Sequence, residues 1–138
     1  MPKQVLRPPN LAFQPRPAYP YSPGARGGRL VYTAGQVAWD EHARLVGIGD
    51  ARAQAEQTLR NVESVLRAGG ATLADVLKCN VYLADMRDFA AMNAVFARFF
   101  AEEPPARTTV QAALAEPEML VEIEAVAYVE DDGALETH

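Results

Sequence analysis

The chain has 138 residues, of which 49% are apolar and 22% charged, and its formal net charge is −5. This length and composition indicate one globular domain with a hydrophobic core and argue against a disordered chain. With Cys79 as its one cysteine, the chain excludes an internal disulfide and a thiolate metal site, and two histidines leave few metal ligands. The sequence has neither an apolar run of the ~20 residues that span a bilayer nor a secretory signal, so we expect a cytoplasmic protein.

The beginning of the chain is rich in proline and basic. Seven of the ten prolines lie in residues 1–23, and residues 1–29 carry five basic and no acidic side chains. Proline predicts irregular or polyproline-like chain over the first ~25 residues. We therefore divide the chain into a basic arm (1–15), an α+β domain (16–130) and an acidic tail (131–138). The arm is either loose or packed on its own body or on a neighbouring subunit. The scattered basic residues and the acidic whole do not favour a nucleic-acid partner.

The first regular elements are two predicted strands and a helix. Arg29–Gly35 predicts a strand, and residues 43–46 predict a second, short one. Asp50 is expected to cap a helix that runs to Ala68 and ends at the Gly69-Gly70 pair. An apolar stripe predicts its buried face, namely Ala55, Leu59, Val62, Val65 and Leu66.

The second half of the chain predicts three strands and another helix. Val76–Leu83 is expected to be a strand with Leu77, Cys79, Val81 and Leu83 on its apolar face, where Cys79 would be inert core. Asp85 is expected to cap a helix that ends before Pro104-Pro105 and buries Phe89, Met92, Val95, Phe96 and Phe99. Arg107–Ala113 and Val121–Val129 predict the last two strands.

The order β-β-α-β-α-β-β predicts an α+β two-layer sandwich in which two helices cover one face of a mixed sheet. The other face carries Val126 and Tyr128 beside glutamates. Such a face is typical of partial burial by a partner, so we expect a homo-oligomer.

The candidate chemical groups lie on the last two strands. Alternation places Arg107, Thr109 and Gln111 on one face of one strand, and Glu122 and Glu124 about 7 Å apart on one face of the next. If these strands are neighbours, Arg107 and a glutamate meet. The pair would then bind a carboxylate or phosphate and orient a water, or it would be an ordinary cross-strand ion pair.

Two strings near the end of the chain resemble the signature of the Rid family. These proteins are the reactive-intermediate imine deaminases, also called YjgF-like or L-PSP endoribonuclease-like proteins. The strings are Pro105-Ala-Arg107-Thr-Thr-Val and Glu122-Ile-Glu-Ala-Val-Ala127. Further matches follow in order, namely Pro20-Tyr21, Tyr32-Thr-Ala-Gly-Gln36, 54–62, 76–83 and Asp88-Phe89 with Asn93.

The resemblance implies a chorismate-mutase-like α+β fold, a homotrimer and active sites between subunits. It implies hydrolysis of enamines and imines of the 2-aminoacrylate type to 2-keto acids and ammonia, without cofactor or metal. Arg107 would hold the substrate carboxylate, Glu122 would position the attacking water, and Tyr21 would close the cleft as the third catalytic residue. The substrate pocket would be lined by Gly35, Ala34, Thr109 and Asn93.

Two positions depart from the family pattern, and two other functions stay open. Ala34 stands where many members have serine, and Thr109 where many have cysteine. The first alternative is a non-catalytic trimer that binds 2-keto acids. The second is an endoribonuclease, which the family's older name suggests, although an acidic chain without a basic groove does not favour it.

Overall fold

The computed structural model of the protein describes residues 3–9 and 20–130. The predicted acidic tail at 131–138 and the boundary predicted at residue 15 lie outside these ranges. Eight helices and strands follow one another as β1 (Gln4–Leu6), β2 (Gly24–Gly27), β3 (Leu30–Thr33), α1 (Ala51–Ala68), β4 (Val76–Leu83), α2 (Phe89–Phe99), β5 (Ala106–Gln111) and β6 (Val121–Tyr128).

The strands form one mixed sheet with the order β1-β2-β3-β6-β4-β5. β4 and β5 are parallel and are connected through α2, whereas every other neighbouring pair is antiparallel. Both helices pack on one face of this sheet and share a core with it. The predicted α+β two-layer sandwich is confirmed.

Helix α1 matches its prediction closely. The Asp50 side chain accepts a hydrogen bond from the backbone N–H of Ala53, and Gly70 has a φ of +83°, which glycine adopts without strain. The predicted stripe is fully buried at Ala55, Leu59, Val62, Val65 and Leu66. The helix begins and ends where local signals place it.

The beginning of the chain differs from its prediction. Gln4–Leu6 pairs with β2 at the sheet edge, and Leu6 is 1% exposed in the core. The alternatives for this segment were a loose arm and a packed one. The structure supports the packed one, because Gln4–Leu6 pairs with the chain's own sheet. Pro8 follows this strand, so no proline nitrogen falls within the paired residues.

The strand predicted at residues 43–46 is wrong. The carboxylate of Asp40 accepts hydrogen bonds from the backbone N–H groups of His42 and Arg44, and Ala43 has a φ of +61°. A side chain that accepts a hydrogen bond from the backbone two residues ahead favours a tight turn over the backbone pairing of a strand. A single bridge between Trp39 and Leu45 closes this turn.

The apolar face predicted for β4 needs one correction. The register with β6 shifts between Val76 and Lys78, so Leu77 is an extra residue and is 56% exposed. Val76 takes its place in the core, while Cys79 stays buried as predicted. A bulge of this kind reverses the side-chain alternation on one side of it.

The second helix starts one turn later than Asp85 suggests. Asp85 caps a short 3-10 turn, Met86–Asp88, that leads directly into α2. Met92, Val95 and Phe96 are buried as predicted, but Phe89 is 38% exposed at the beginning of the helix.

The second face of the sheet carries exposed apolar side chains. Val121, Ile123, Ala125 and Ala127 of β6 point into the core, so the residues between them point the opposite way. The exposed apolar members of this open face include Val5, Leu30, Tyr32, Val110 and Tyr128. A large apolar area of this kind is typical of a surface that another protein copy covers.

Candidate functional site

Glu122 lies on the open face near the beginning of β6. Its register partner on β4 is Tyr82, and Glu124 stands opposite Asn80, whose amide donates to the Glu124 carboxylate at 3.0 Å. The predicted placement of both glutamates on one face is therefore confirmed. Burial raises the pKa of the half-buried Glu122 carboxyl, and the negative charge of Glu124 raises that pKa further.

Gly35 brings the backbone of a neighbouring loop against Glu122. Gln36 and Ile123 exchange backbone hydrogen bonds of 2.9 and 3.0 Å, which fixes this loop beside β6. A β-carbon at Gly35 would overlap the Glu122 carboxylate and lie 2.9 Å from its Cδ. Only glycine leaves room for the acid in this position.

Glu122 and Gly35 border a cavity of about 670 Å³. Four of the predicted site residues line it, namely Tyr21, Ala34, Gly35 and Glu122. Its other walls include Val37, Trp39, Glu116 and Met119. The cavity therefore places the half-buried Glu122 carboxyl among both apolar and polar walls, which suits a small ligand and a positioned water.

Arg107 lies on β5 and does not line the cavity that Glu122 borders. β5 pairs with β4 and not with β6, and Arg107 is in register with Cys79, whose side chain points into the core. Arg107 is thus separated from Glu122 by a whole strand and projects from the opposite face. The last two strands are not neighbours, so the condition for Arg107 and a glutamate to meet within one chain, as a site or as an ion pair, is not met.

Aromatic rings hold the Arg107 guanidinium. Its carbon lies 4.8 Å from the ring centroid of Phe96 and 5.5 Å from that of Phe89, and one nitrogen contacts the sulfur of Met92 at 3.9 Å. None of the ion pairs found within residues 3–9 and 20–130 includes Arg107. Cation–π contacts orient the planar fork and leave its N–H donors available to an anion.

Asn93 and Thr109 belong with Arg107. Asn93 and Arg107 line a second cleft of about 480 Å³ beside α2 and the Pro104-Pro105 loop. Thr109 follows Arg107 by two residues on β5, and its buried hydroxyl has no hydrogen-bond partner in the described part of the chain. The seven predicted site residues therefore form two separate groups, one around Glu122 and one around Arg107.

The sequence analysis missed two positioning side chains on α1. Asn61 donates to the backbone carbonyls of Val37 and Trp39 at 2.9 and 2.8 Å. Gln54 bonds three backbone groups of the loops around residues 47 and 118–120. Both lie in the 54–62 segment that is part of the family resemblance. The signal available in the sequence was a polar residue beside the apolar stripe of the helix, and the structure shows that both residues are buried.

Other kinds of chemistry find no support in the described residues. Burial raises the pKa of the Cys79 thiol to about 12, so this cysteine is not a nucleophile at neutral pH. Across 3–9 and 20–130, no three histidine, cysteine, aspartate or glutamate side chains cluster as metal ligands do. In the same ranges, no helix has the length and apolar character needed to cross a bilayer.

Comparisons with known proteins agree with the fold and with the motifs. The family described as endoribonuclease L-PSP matches residues 12–129. A RutC family protein of Pyrococcus horikoshii is 42% identical over 116 residues, which cover 84% of this chain and 92% of that protein. The 3-aminoacrylate deaminase RutC of Acinetobacter baylyi is 38% identical over 129 residues, 94% of this chain and 100% of that one. The crystal structure of E. coli TdcF with bound serine superposes with a TM-score of 0.78 at 30% identity, covering 91% of this chain and 98% of that one.

Proposed function

The chain belongs to the endoribonuclease L-PSP family, which is the Rid family that its motifs resemble, and we propose that it hydrolyses enamines and imines of 2-amino acids to 2-keto acids and ammonia. The observation that carries this proposal is the pair of Glu122 and Gly35 at a cavity. A carboxyl with a raised pKa exchanges a proton with water more readily than an exposed one near neutral pH.

In the proposed reaction, an enamine first tautomerises to its imine, and water then adds to the C=N carbon. Glu122 accepts a proton from the attacking water as the C–O bond forms, and it returns this proton to the former imine nitrogen, which gives a carbinolamine. Glu122 then transfers the proton of the carbinolamine hydroxyl to the same nitrogen, so that the C–N bond breaks, ammonia leaves and the keto group forms. Tyr21 borders the same cavity, where its hydroxyl would hydrogen-bond the substrate or the water.

Arg107 is proposed to hold the substrate carboxylate through its planar fork. The two residues of one chain lie on opposite sheet faces, so a complete site requires a second copy. We propose a homotrimer in which the Arg107 group of one subunit meets the Glu122 group of the next. The exposed Tyr32, Val110 and Tyr128 on the open face supply an apolar surface for this assembly.

Two relatives support the chemistry. 3-Aminoacrylate, which the Acinetobacter relative is named for deaminating, is itself an enamine acid. The serine bound to E. coli TdcF carries the same α-carboxylate and nitrogen arrangement as a 2-imino acid. We propose the 2-imino acid class as substrate, with the pocket lined by Gly35, Ala34, Thr109 and Asn93. We also propose that the reaction uses no cofactor and takes place in the cytoplasm.

The first test uses imines produced by an amino-acid oxidase. Free imines hydrolyse in water, so the 2-keto acid formed with the protein is compared with an enzyme-free control. Arg107→Ala is expected to abolish the acceleration, and Arg107→Lys to restore only part of it, because lysine keeps the charge but loses the fork. Binding of a 2-keto acid in calorimetry without any acceleration would instead favour a non-catalytic binding trimer.

The second test addresses the shared site. Arg107→Ala and Glu122→Gln subunits, each inactive alone, are mixed by joint refolding. If the two residues of a site come from different subunits, random assortment leaves about a quarter of the sites with both an intact Arg107 and an intact Glu122. Light scattering should give the mixtures a mass of three times 15.0 kDa. If mixtures of this mass recover no activity, the intersubunit site is contradicted.

A further inference from the structure

Gln54 is a fully buried polar side chain on a helix face that otherwise packs apolar residues. It is 0% exposed, as are Ala55 and Leu59 on the same side of α1. A buried amide is unfavourable unless its donors and its acceptor find partners, so its presence in the core requires a compensating set of hydrogen bonds.

The backbone of two loops supplies that set. The Gln54 Nε2 group donates to the carbonyl of Gly47 at 3.1 Å and to the carbonyl of Glu118 at 2.9 Å. Its Oε1 accepts from the backbone N–H of Leu120 at 2.8 Å. One side chain therefore joins the loop before α1 to the loop before β6.

The second of these loops leads directly to Glu122. The Leu120 carbonyl also accepts from the backbone N–H of Ala84 at 3.0 Å, so both polar backbone groups of Leu120 are held. Met119, which precedes it, lines the cavity and is 5% exposed. Only Val121 separates Leu120 from Glu122, so the hydrogen bonds that hold Leu120 also constrain the beginning of β6 next to Glu122.

We propose that Gln54 is a positioning residue that holds Glu122 in its place for water attack. The inference rests on the proposed function and extends it to a residue that does not border the cavity. Arg107 lies on the opposite face of the sheet, on β5, which β4 separates from β6. Gln54 therefore acts on the water step and leaves carboxylate binding unaffected.

The main test replaces Gln54 with an apolar side chain of similar length. Gln54→Met removes all three hydrogen bonds, and we expect kcat to fall about 10- to 100-fold, as small misplacements of catalytic groups do. The affinity for a 2-keto acid, measured by calorimetry, should stay unchanged. Equal losses of kcat and affinity, or an unchanged kcat, would overturn the proposal.

The matched control is Thr58→Val on the same helix. Thr58 is also 0% exposed, and its hydroxyl has no hydrogen-bond partner among the described residues. The substitution changes a buried polar side chain that makes no hydrogen bond to either loop, so kcat should remain at the wild-type value. A loss as large as that of Gln54→Met would assign the effect to general destabilisation and overturn the positioning role.

A second variant tests the hydrogen bonds themselves and covers the case in which Gln54→Met does not fold. In Gln54→Glu, an ionised carboxylate accepts from Leu120 but cannot donate to Gly47 or Glu118. Protonation returns one donor, so the rate relative to wild type should rise as the pH falls. A ratio that is independent of pH would contradict the proposal.

A third readout separates this inference from the proposed function. If the wild-type protein does not accelerate imine hydrolysis, the proposed function fails, but the position of Glu122 is still measurable. Carboxyl NMR should show the Glu122 pKa closer to its ordinary value in Gln54→Met than in wild type, since a displaced carboxyl is more solvated. An identical titration in both proteins would overturn the positioning role on its own.

Discussion

Replacing Gly35 with alanine tests whether Glu122 works only in its present place. The added methyl group would overlap the Glu122 carboxylate and lie 2.9 Å from Cδ and 3.2 Å from Cγ. The three atoms nearest to this methyl group all belong to the Glu122 side chain, so we expect the carboxylate to rotate out of the cavity while the backbone stays. The loss of unfolding free energy should be about 1 kcal/mol, the low end for overpacking.

The effect on the rate should be much larger. A carboxylate displaced by about 1 Å or more from its water no longer serves as a base, and we expect imine hydrolysis to fall about 100-fold. The two effects are measured by denaturant midpoints and by keto-acid release from oxidase-generated imines. Large activity loss with small stability loss is the signature of a displaced catalytic group.

Gly27→Ala provides the matched control. Gly27 lies at the end of β2, and a β-carbon there would have no atom within 4 Å. Its rate should equal that of the wild type, and its stability should equal or slightly exceed it, because alanine restricts the unfolded chain more than glycine does. A Gly35→Ala protein with wild-type activity, or one that loses several kcal/mol while Gly27→Ala loses none, would refute the reasoning, because the methyl group would then be accommodated or would disrupt the backbone.

Two further predictions concern pH and a helix cap. The folded-state pKa of Glu122 is raised above the unfolded one, so the fold favours the protonated acid, and the ionised acid lowers stability as pH rises through that raised pKa. Glu122→Gln should therefore be more stable than wild type at pH 7 but equal to it below pH 4.5. The measurement is the denaturant midpoint of both proteins at each pH, and the same difference between variant and wild type at both pH values would contradict this. Asp50→Ala removes the side chain that caps α1 through Ala53 and should lower stability by about 1 kcal/mol, measured by thermal unfolding. Asp50→Ser, which keeps a capping oxygen, should recover most of the loss, and an equal loss in both variants would assign the effect to something other than the cap.

The sequence by itself determined helix α1 and the side of β6 that is buried. Helix α1 begins at its capping aspartate and ends at its glycines because these signals act over a few residues. The alternation of β6 likewise predicts that Glu122 and Glu124 share a face. The resemblance also named Arg107, Glu122, Tyr21 and Gly35, since motif residues keep their order along the chain.

Only the tertiary structure decided which strands are neighbours. Alternation reports a face but not a partner, because strand pairing depends on contacts between distant segments. Strand β4 lies between β5 and β6 and so separates Arg107 from Glu122, and the strand registers place the two side chains on opposite faces. The same non-local packing produced the bulge at Leu77 and enclosed Gln54 between two loops. One chain therefore contains both halves of the proposed site but does not bring them together.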